Sequence, residues 1–186
     1  MNVYDFDKTI YINDSSFDFI KSLYFKKPYL IFTCGFKSII AGIKYFLHLY
    51  SKEDAKEVFF SILKHFNNKE ELINEFWDKH QNGIKEFYLK QKRDDDLIIS
   101  ASPSFLIEPI CKRLKINYIA SPLNLETIKY EGKNCYGEEK VIQFKKYYNK
   151  EIEEFYSDSL SDSPLALIAK KAYLVSKNNI KEWPNI

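Results

Sequence analysis

Val3-Tyr4-Asp5-Phe6-Asp7-Lys8-Thr9 opens the chain, and its reading decides the fold. A short apolar strand start runs straight into two aspartates two residues apart, with a threonine two further on. Two carboxylates at the end of a strand are costly unless a cation or a proton holds them together. The pairing suits covalent phosphoryl transfer. One Asp attacks phosphorus, Mg²⁺ bridges the oxygens and the second Asp handles protons. So short a motif needs partners further along.

Beyond it the pattern is helical. Asp14, Ser15 and Ser16 offer N-caps. Phe17, Ile20, Leu23 and Tyr24 follow a 3.6-residue period, as do Ile39, Ile43, Phe46 and Leu47. Val58, Ile62, Leu63 and Phe66 repeat it, then Leu72, Phe76 and Trp77. Breaks are expected at Pro28, Ser51 and Asn67-Asn68. After the polar run Arg93 to Asp96, strands and helices alternate. Strands are expected at 97–100, 116–120, 151–156 and 172–175, and helices at 103–114, 138–148 and 163–171. The acidic triplet at 94–96 reads as a solvated loop, and 124–136 as a hairpin or loop. The fold class is therefore α/β, with a parallel sheet covered on both faces. The expected domains are an α/β core of residues 1–13 and 92–186 and an inserted α-helical cap of residues 14–91. An insertion at that point lies over the carboxyl ends of the strands, where open α/β sheets bind ligands.

Composition narrows the function. In 186 residues the net charge is +2, which gives no bulk attraction to nucleic acid. Cys34, Cys111 and Cys135 are far apart and form no C-x-x-C pair, so a reducing, cytoplasmic setting is expected. No basic region followed by an apolar stretch marks a signal peptide. The stretch 29–50 is apolar and aromatic, but Lys37, Lys44 and His48 interrupt it. Burial inside the cap bundle is the expected fate of its side chains. The alternative is a face lying on an anionic membrane. His48, His65 and His80 lack partners at metal spacing and read as surface or packing residues.

Further polar positions fall at element ends. Ser100 closes a strand before a helix N-terminus, where a hydroxyl and free amides hold a phosphate oxygen. Lys140 opens a helix. Asp158 ends the strand 151–156, and Asp162 follows four residues later. Asp158 suits Mg²⁺, which prefers oxygen ligands and few carboxylates. Asp162 reads either as a site residue or as the N-cap of the next helix.

In this order, Asp5-x-Asp7-x-Thr9, Ser100, Lys140 and Asp158-x-x-x-Asp162 resemble the four motifs of the haloacid dehalogenase superfamily. The position of the helical insertion is similar to that in the phosphoserine-phosphatase-like subclass. The resemblance implies a Rossmann-like core and a Mg²⁺-dependent phosphomonoesterase acting on a small phosphorylated metabolite. It makes Asp5 the nucleophile that becomes an aspartyl phosphate, and Asp7 the general acid and then base. Asp5, Asp7 (through its carbonyl) and Asp158 would bind Mg²⁺. Ser100, Lys140 and Thr9 would serve the phosphate, with Thr9 steadying its loop, and Asp162 would support the site. Lys8 and Ser157 stand where many members carry Gly.

The Asp at the second position after the nucleophile argues for phosphate over halide, because a phosphoryl leaving group needs a proton. The alternatives are a phospholipid-type phosphatase or phosphotransferase on the same site, or a non-catalytic binding protein. A monomer or homodimer is expected. The only arginines are Arg93 and Arg113. The cap therefore offers no bidentate clamp for a substrate carboxylate, which makes phosphoserine a poorer candidate than other small phosphomonoesters.

Overall fold

In β1, Val3 and Tyr4 point to opposite sides of the strand, and each side meets a different core. Val3 packs with Leu97, Ile99, Phe144, Phe155 and Leu165. Tyr4 packs with Ile98, Leu106, Ile110 and Tyr156. The same alternation runs along the two neighbouring strands, as a pleat of period two requires when both faces are covered. The structure is a computed structural model and describes residues 1–177 and 179–184.

The sheet has six strands in the order β3-β2-β1-β4-β5-β6. They are β1 (Val3–Tyr4), β2 (Leu97–Pro103), β3 (Asn117–Ser121), β4 (Ile152–Ser157), β5 (Ala169–Ser176) and β6 (Asn179–Glu182). All neighbours are parallel except β6, which runs antiparallel to β5. Central β1 is only two residues long, yet it pairs with both β2 and β4. Asp5 N then donates to Tyr156 O at 2.8 Å, which carries the pairing one residue past the strand. The ends of β1 and β4 are thereby locked side by side.

Between β1 and β2 lie α1 (Ser15–Lys26), α2 (Cys34–Phe46), α3 (Lys52–Phe60), α4 (Lys69–His80) and α5 (Glu86–Gln91). Asp14 caps α1 by accepting from Phe17 N, and Ser51 and Asp54 form a capping box on α3. The expected breaks at Pro28, Ser51 and Asn68 all separate helices, and Pro28 opens a 3₁₀ turn to Phe32. Residues 10–12 pair with 83–85. Ile12 N donates to Gly83 O at 3.0 Å and Lys85 N to Ile10 O at 2.7 Å. The two ends of the helical segment thus leave and re-enter the core side by side. Beyond β2 come α6 (Ser104–Leu114), α7 (Glu138–Tyr147) and the short α8 (Ser163–Ala166).

Four features depart from the sequence reading. The helix expected over 163–171 ends at Ala166, because Ala169 onward pairs with β4 from Ile152 up. β6 follows what was expected to be the last strand. Asp96 is fully buried rather than solvated, and its carboxylate accepts from Arg93 N and Asn2 N. Finally, burial inside the bundle is the fate of only a few residues of the apolar stretch 29–50, Leu30, Cys34 and Ala41 among them. Phe32 is 84% exposed and Phe46 81% exposed.

The helical segment shares the core's hydrophobic cluster and, among the described residues, has no separate one. Leu23, Leu63, Leu72 and Phe76 belong with Tyr4, Ile98 and Leu106. Trp77 is the pin. It makes edge contacts with Phe6 and Tyr11, and its Nε1 donates to Leu106 O at 2.7 Å. On the same helix, Asn74 O accepts from Arg113. Truncating a fully buried Trp costs about 3–5 kcal/mol. Trp77→Ala is therefore expected to lower stability by about that much while urea unfolding stays a single transition. Two separate transitions, with the sheet unaffected, would contradict the shared core.

Candidate active site

Asp5, Asp7, Lys140, Asp158 and Asp162 all line one cavity of about 370 Å³. It opens at the carboxyl ends of β1 and β4. Asp5 follows β1, Asp158 follows the last residue of β4, and Lys140 lies in the first turn of α7. Gly137 caps α7 with φ of +57°, a backbone region that L-residues with side chains adopt only at a cost. That turn aims a fully buried Lys140 back at the sheet.

The Lys140 ammonium bridges two carboxylates. Nζ donates to Asp5 Oδ1 at 2.6 Å and to Asp162 Oδ2 at 2.7 Å. Burial pulls the Lys140 pKa down, but Asp5 and Asp162 outweigh it, so the lysine stays protonated well above its usual range. Burial pushes the Asp5 carboxyl up and Lys140 opposes it, leaving a net upward shift. Ser157 is fully buried, and its Oγ donates to Asp162 Oδ2 at 2.7 Å. The residue that stands where the resembling motif often carries Gly therefore orients Asp162. Asp162 occupies the N-cap position of α8 but makes no side-chain cap bond there; its carboxylate turns to Lys140 and Ser157 instead.

Asp7 faces the helical segment. Its carboxylate accepts from Ser15 N at 2.7 Å and from Ser102 Oγ at 2.5 Å. Burial and the nearby Asp14 charge raise its pKa to about 6, against those two hydrogen bonds. Lys8 has φ of 58°, which accounts for glycine at the same place in the resembling motif.

Thr9 and Ser100 do not line the cavity. Thr9 is fully buried, donates to Asp5 Oδ2 at 3.2 Å and accepts from Asp158 N at 2.9 Å. It ties the first acidic loop to the last. Ser100 is buried and its Oγ accepts from Ser102 N at 3.0 Å. Ser102, two residues on, reaches the cavity. Sequence reading missed Ser102, and it missed two lysines of α3. Lys56 Nζ donates to Ala101 O at 2.6 Å and to Asn134 Oδ1 at 2.8 Å. Burial lowers its pKa to about 8. Lys52 Nζ lies 3.1 Å from the Tyr136 ring centroid. Both line the cavity. Ser102 was legible as the second hydroxyl of Ser100-Ala101-Ser102, but nothing in the helical pattern singles out Lys52 or Lys56.

The donor set fits Mg²⁺. That ion takes oxygen ligands, keeps several waters and needs only one or two carboxylates. Asp5 and Asp158 supply two carboxylates on the same cavity. Among the described residues no three His, Cys, Asp or Glu side chains form a closed metal cluster. A buried Asp162 Oδ1 has no hydrogen-bond partner in the protein.

The fold and this constellation define a hydrolase of the α/β class with its polar site at the strand ends. The sequence model for haloacid dehalogenase-like hydrolases matches residues 3–167, and the chain belongs to that family. No curated protein matches the sequence. Among solved structures, it is similar to a protein of unknown function from Bordetella pertussis Tohama I. The TM-score is 0.71 at 19% identity, over 92% of this chain and 87% of that one. It is also similar to a phosphoserine phosphohydrolase-like protein from Francisella tularensis subsp. tularensis SCHU S4. There the TM-score is 0.56 at 20% identity, over 92% and 86%. A family hydrolase from Salmonella enterica serovar Typhi matches at a TM-score of 0.56 and 11% identity, over 90% and 59%. At such identities the likeness is one of fold.

Removing one partner of a buried ion cluster strands the others, at a cost of about 3–5 kcal/mol. Lys140→Met is expected to lose stability on that scale in urea titrations. The double variant Lys140→Met with Asp162→Asn should recover part of it. Full stability of the single variant would contradict the bridge.

Proposed function

We propose that the protein is a Mg²⁺-dependent phosphomonoesterase that works through an aspartyl phosphate on Asp5. The observation that carries this reading is the convergence of Asp5, Lys140 and Asp158 on one cavity, with Asp7 two residues beyond Asp5. The ion, when bound, would be held by the Asp5 and Asp158 carboxylates and the Asp7 carbonyl, and would offset charge on the phosphoryl oxygens.

The chain's own residues do the rest. Asp5 attacks phosphorus, the Asp5–phosphorus bond forms and the ester bond to the leaving oxygen breaks. Lys140 orients Asp5 and opposes the protonation that burial favours. Asp7 gives its proton to the leaving oxygen, then takes one from the water that cleaves the acyl phosphate. A carboxyl raised to about 6 carries a proton more often near neutrality than an ordinary aspartate does. Ser102 holds Asp7 in place and, by donating to its carboxylate, limits that rise. Lys52 supplies a cation on the cap side of the cavity, where the rest of the substrate would lie. The proposed substrate is a small phosphomonoester with a further anionic or polar group.

Four outcomes are expected. Asp5→Asn abolishes phosphate release, and chelation of divalent ions stops the wild type until Mg²⁺ is restored. Unchanged turnover in either case would overturn the reading. Lys52→Ala raises KM for an anionic phosphomonoester by about tenfold, on the order of one lost charge-assisted contact, with kcat little changed. A purely structural Lys52 would leave KM alone. The last outcome concerns pH. The acid form of Asp7 is present below its pKa and lost above it. Hydrolysis of an alkyl phosphate should therefore decline as pH rises through about 6. An aryl phosphate, whose leaving group needs less help, should decline less. Ser102→Ala raises the Asp7 pKa and should move the decline to higher pH. A shift to lower pH would count against Asp7 as the acid.

A further inference from the structure

α2 is built inside out. Its face toward the body carries the small residues Cys34, Ser38 and Ala41 and packs on α3. Its outward face carries Phe36, Ile39, Ile40, Ile43 and Leu47, all exposed. That spacing is i, i+3, i+4, i+7, i+11, one continuous apolar stripe of a helix. A stripe of this kind normally faces a core, and contiguous apolar patches on a soluble surface mark interaction sites. Phe32, just before α2, and Phe46, its last residue, add to the exposed apolar surface at 84% and 81% exposure.

Charge identifies the partner. Residues 19–52 hold six lysines and no Asp or Glu, in a chain whose net charge is only +2. The rest of the molecule is thus net negative, and the stretch of chain that contains the apolar stripe is net positive, with Lys37 and Lys44 on α2 itself. Of the six, only Lys26 is paired with a carboxylate, that of Glu75, among the described residues. At ~100° per residue, Lys37 and Lys44 fall together along one border of the stripe. An apolar face bordered by lysines matches a bilayer with anionic headgroups, since the stems run along the apolar surface and the ammonium groups reach the phosphates.

We propose that the outward face of α2 docks on the surface of a membrane containing anionic lipids. The helix lies along the interface and does not span it. Residues Pro28–Phe46 have the length and mean hydropathy (1.2) of a span. But the helix is interrupted at Thr33, and α2 itself has 13 residues. At 1.5 Å per residue that is about 20 Å, short of a hydrocarbon core of about 30 Å. Its inner face is also occupied by α3. The loop after α2 leads straight into Lys52 of the catalytic cavity, so docking would place the cavity near the headgroups. The inference goes beyond the phosphatase reading and does not depend on it.

Vesicle flotation of the full chain tests it, using phosphatidylcholine alone and phosphatidylcholine mixed with phosphatidylglycerol. The protein should float with the mixed vesicles, far less with the neutral ones, and less as salt rises. Lys37→Glu with Lys44→Glu should weaken binding on the order of tenfold or more. Ile39→Glu with Phe46→Glu should abolish it. Lys37, Ile39 and Phe46 are exposed, Lys44 is half-buried against Tyr50, and all four lie outside the cavity, so hydrolysis of a soluble aryl phosphate should persist in both variants. That separates loss of docking from loss of fold or of catalysis. Four results would overturn the proposal. One is no flotation with mixed vesicles. Another is equal flotation with neutral ones. A third is retention in vesicles through alkaline carbonate, which would mean a span. The last is a concentration-dependent dimer that Ile39→Glu dissolves, which would mean a second copy covers the face.

Discussion

A lysine ammonium held out of water between two carboxylates organises this molecule. Lys140 touches both Asp5 and Asp162. Each of the three would be expensive to bury alone, and each is tolerable because of the others. The cluster joins three separate pieces of chain: the end of β1, the start of α7 and the turn after β4. It also works against the protonation of Asp5 that burial favours, while Thr9 steadies the second oxygen. Stability and proposed chemistry therefore rest on the same contacts.

The sheet makes that cluster feasible. Its two covered faces bury alternate residues of β1, β2 and β4, so the central strands are rigid to their last residue. The loops at their carboxyl ends then start from fixed points, and short side chains such as Asp and Ser reach only a few ångströms from them. The helical segment shares the same core through Trp77, which brings α3, with Lys52 and Lys56, over the cavity. Motion of the helical segment as an independent body would have to break that aromatic cluster.

Much of this was legible in the sequence because it is local. Asp5-x-Asp7-x-Thr9 directly follows a strand, and Asp158 directly follows another, so chain order plus parallel pairing suffices to bring them together. The helices of residues 15–91 were readable from period and caps. What was not legible depends on partners distant in sequence. Periodicity shows that α2 has an apolar stripe, but not which side meets α3. The small residues Cys34, Ser38 and Ala41 decided that. The helix expected over 163–171 lost its second half to pairing with β4, a tertiary contact that local propensity does not contain. Ser102 displaced Ser100 at the cavity wall because β2 loses its regular register with β3 after Ser100. Lys52 and Lys56 were two among many lysines until α3 was placed.

The central claim is that Asp5, held by Lys140, captures the phosphoryl group. Borohydride reduces an acyl phosphate on aspartate to homoserine, so quenching the enzyme with it during turnover marks the residue that carried phosphate. Peptide mass analysis is predicted to find homoserine at position 5, and only when substrate is present. Unmodified Asp5 under steady turnover, with or without modification at another carboxylate, would contradict the account.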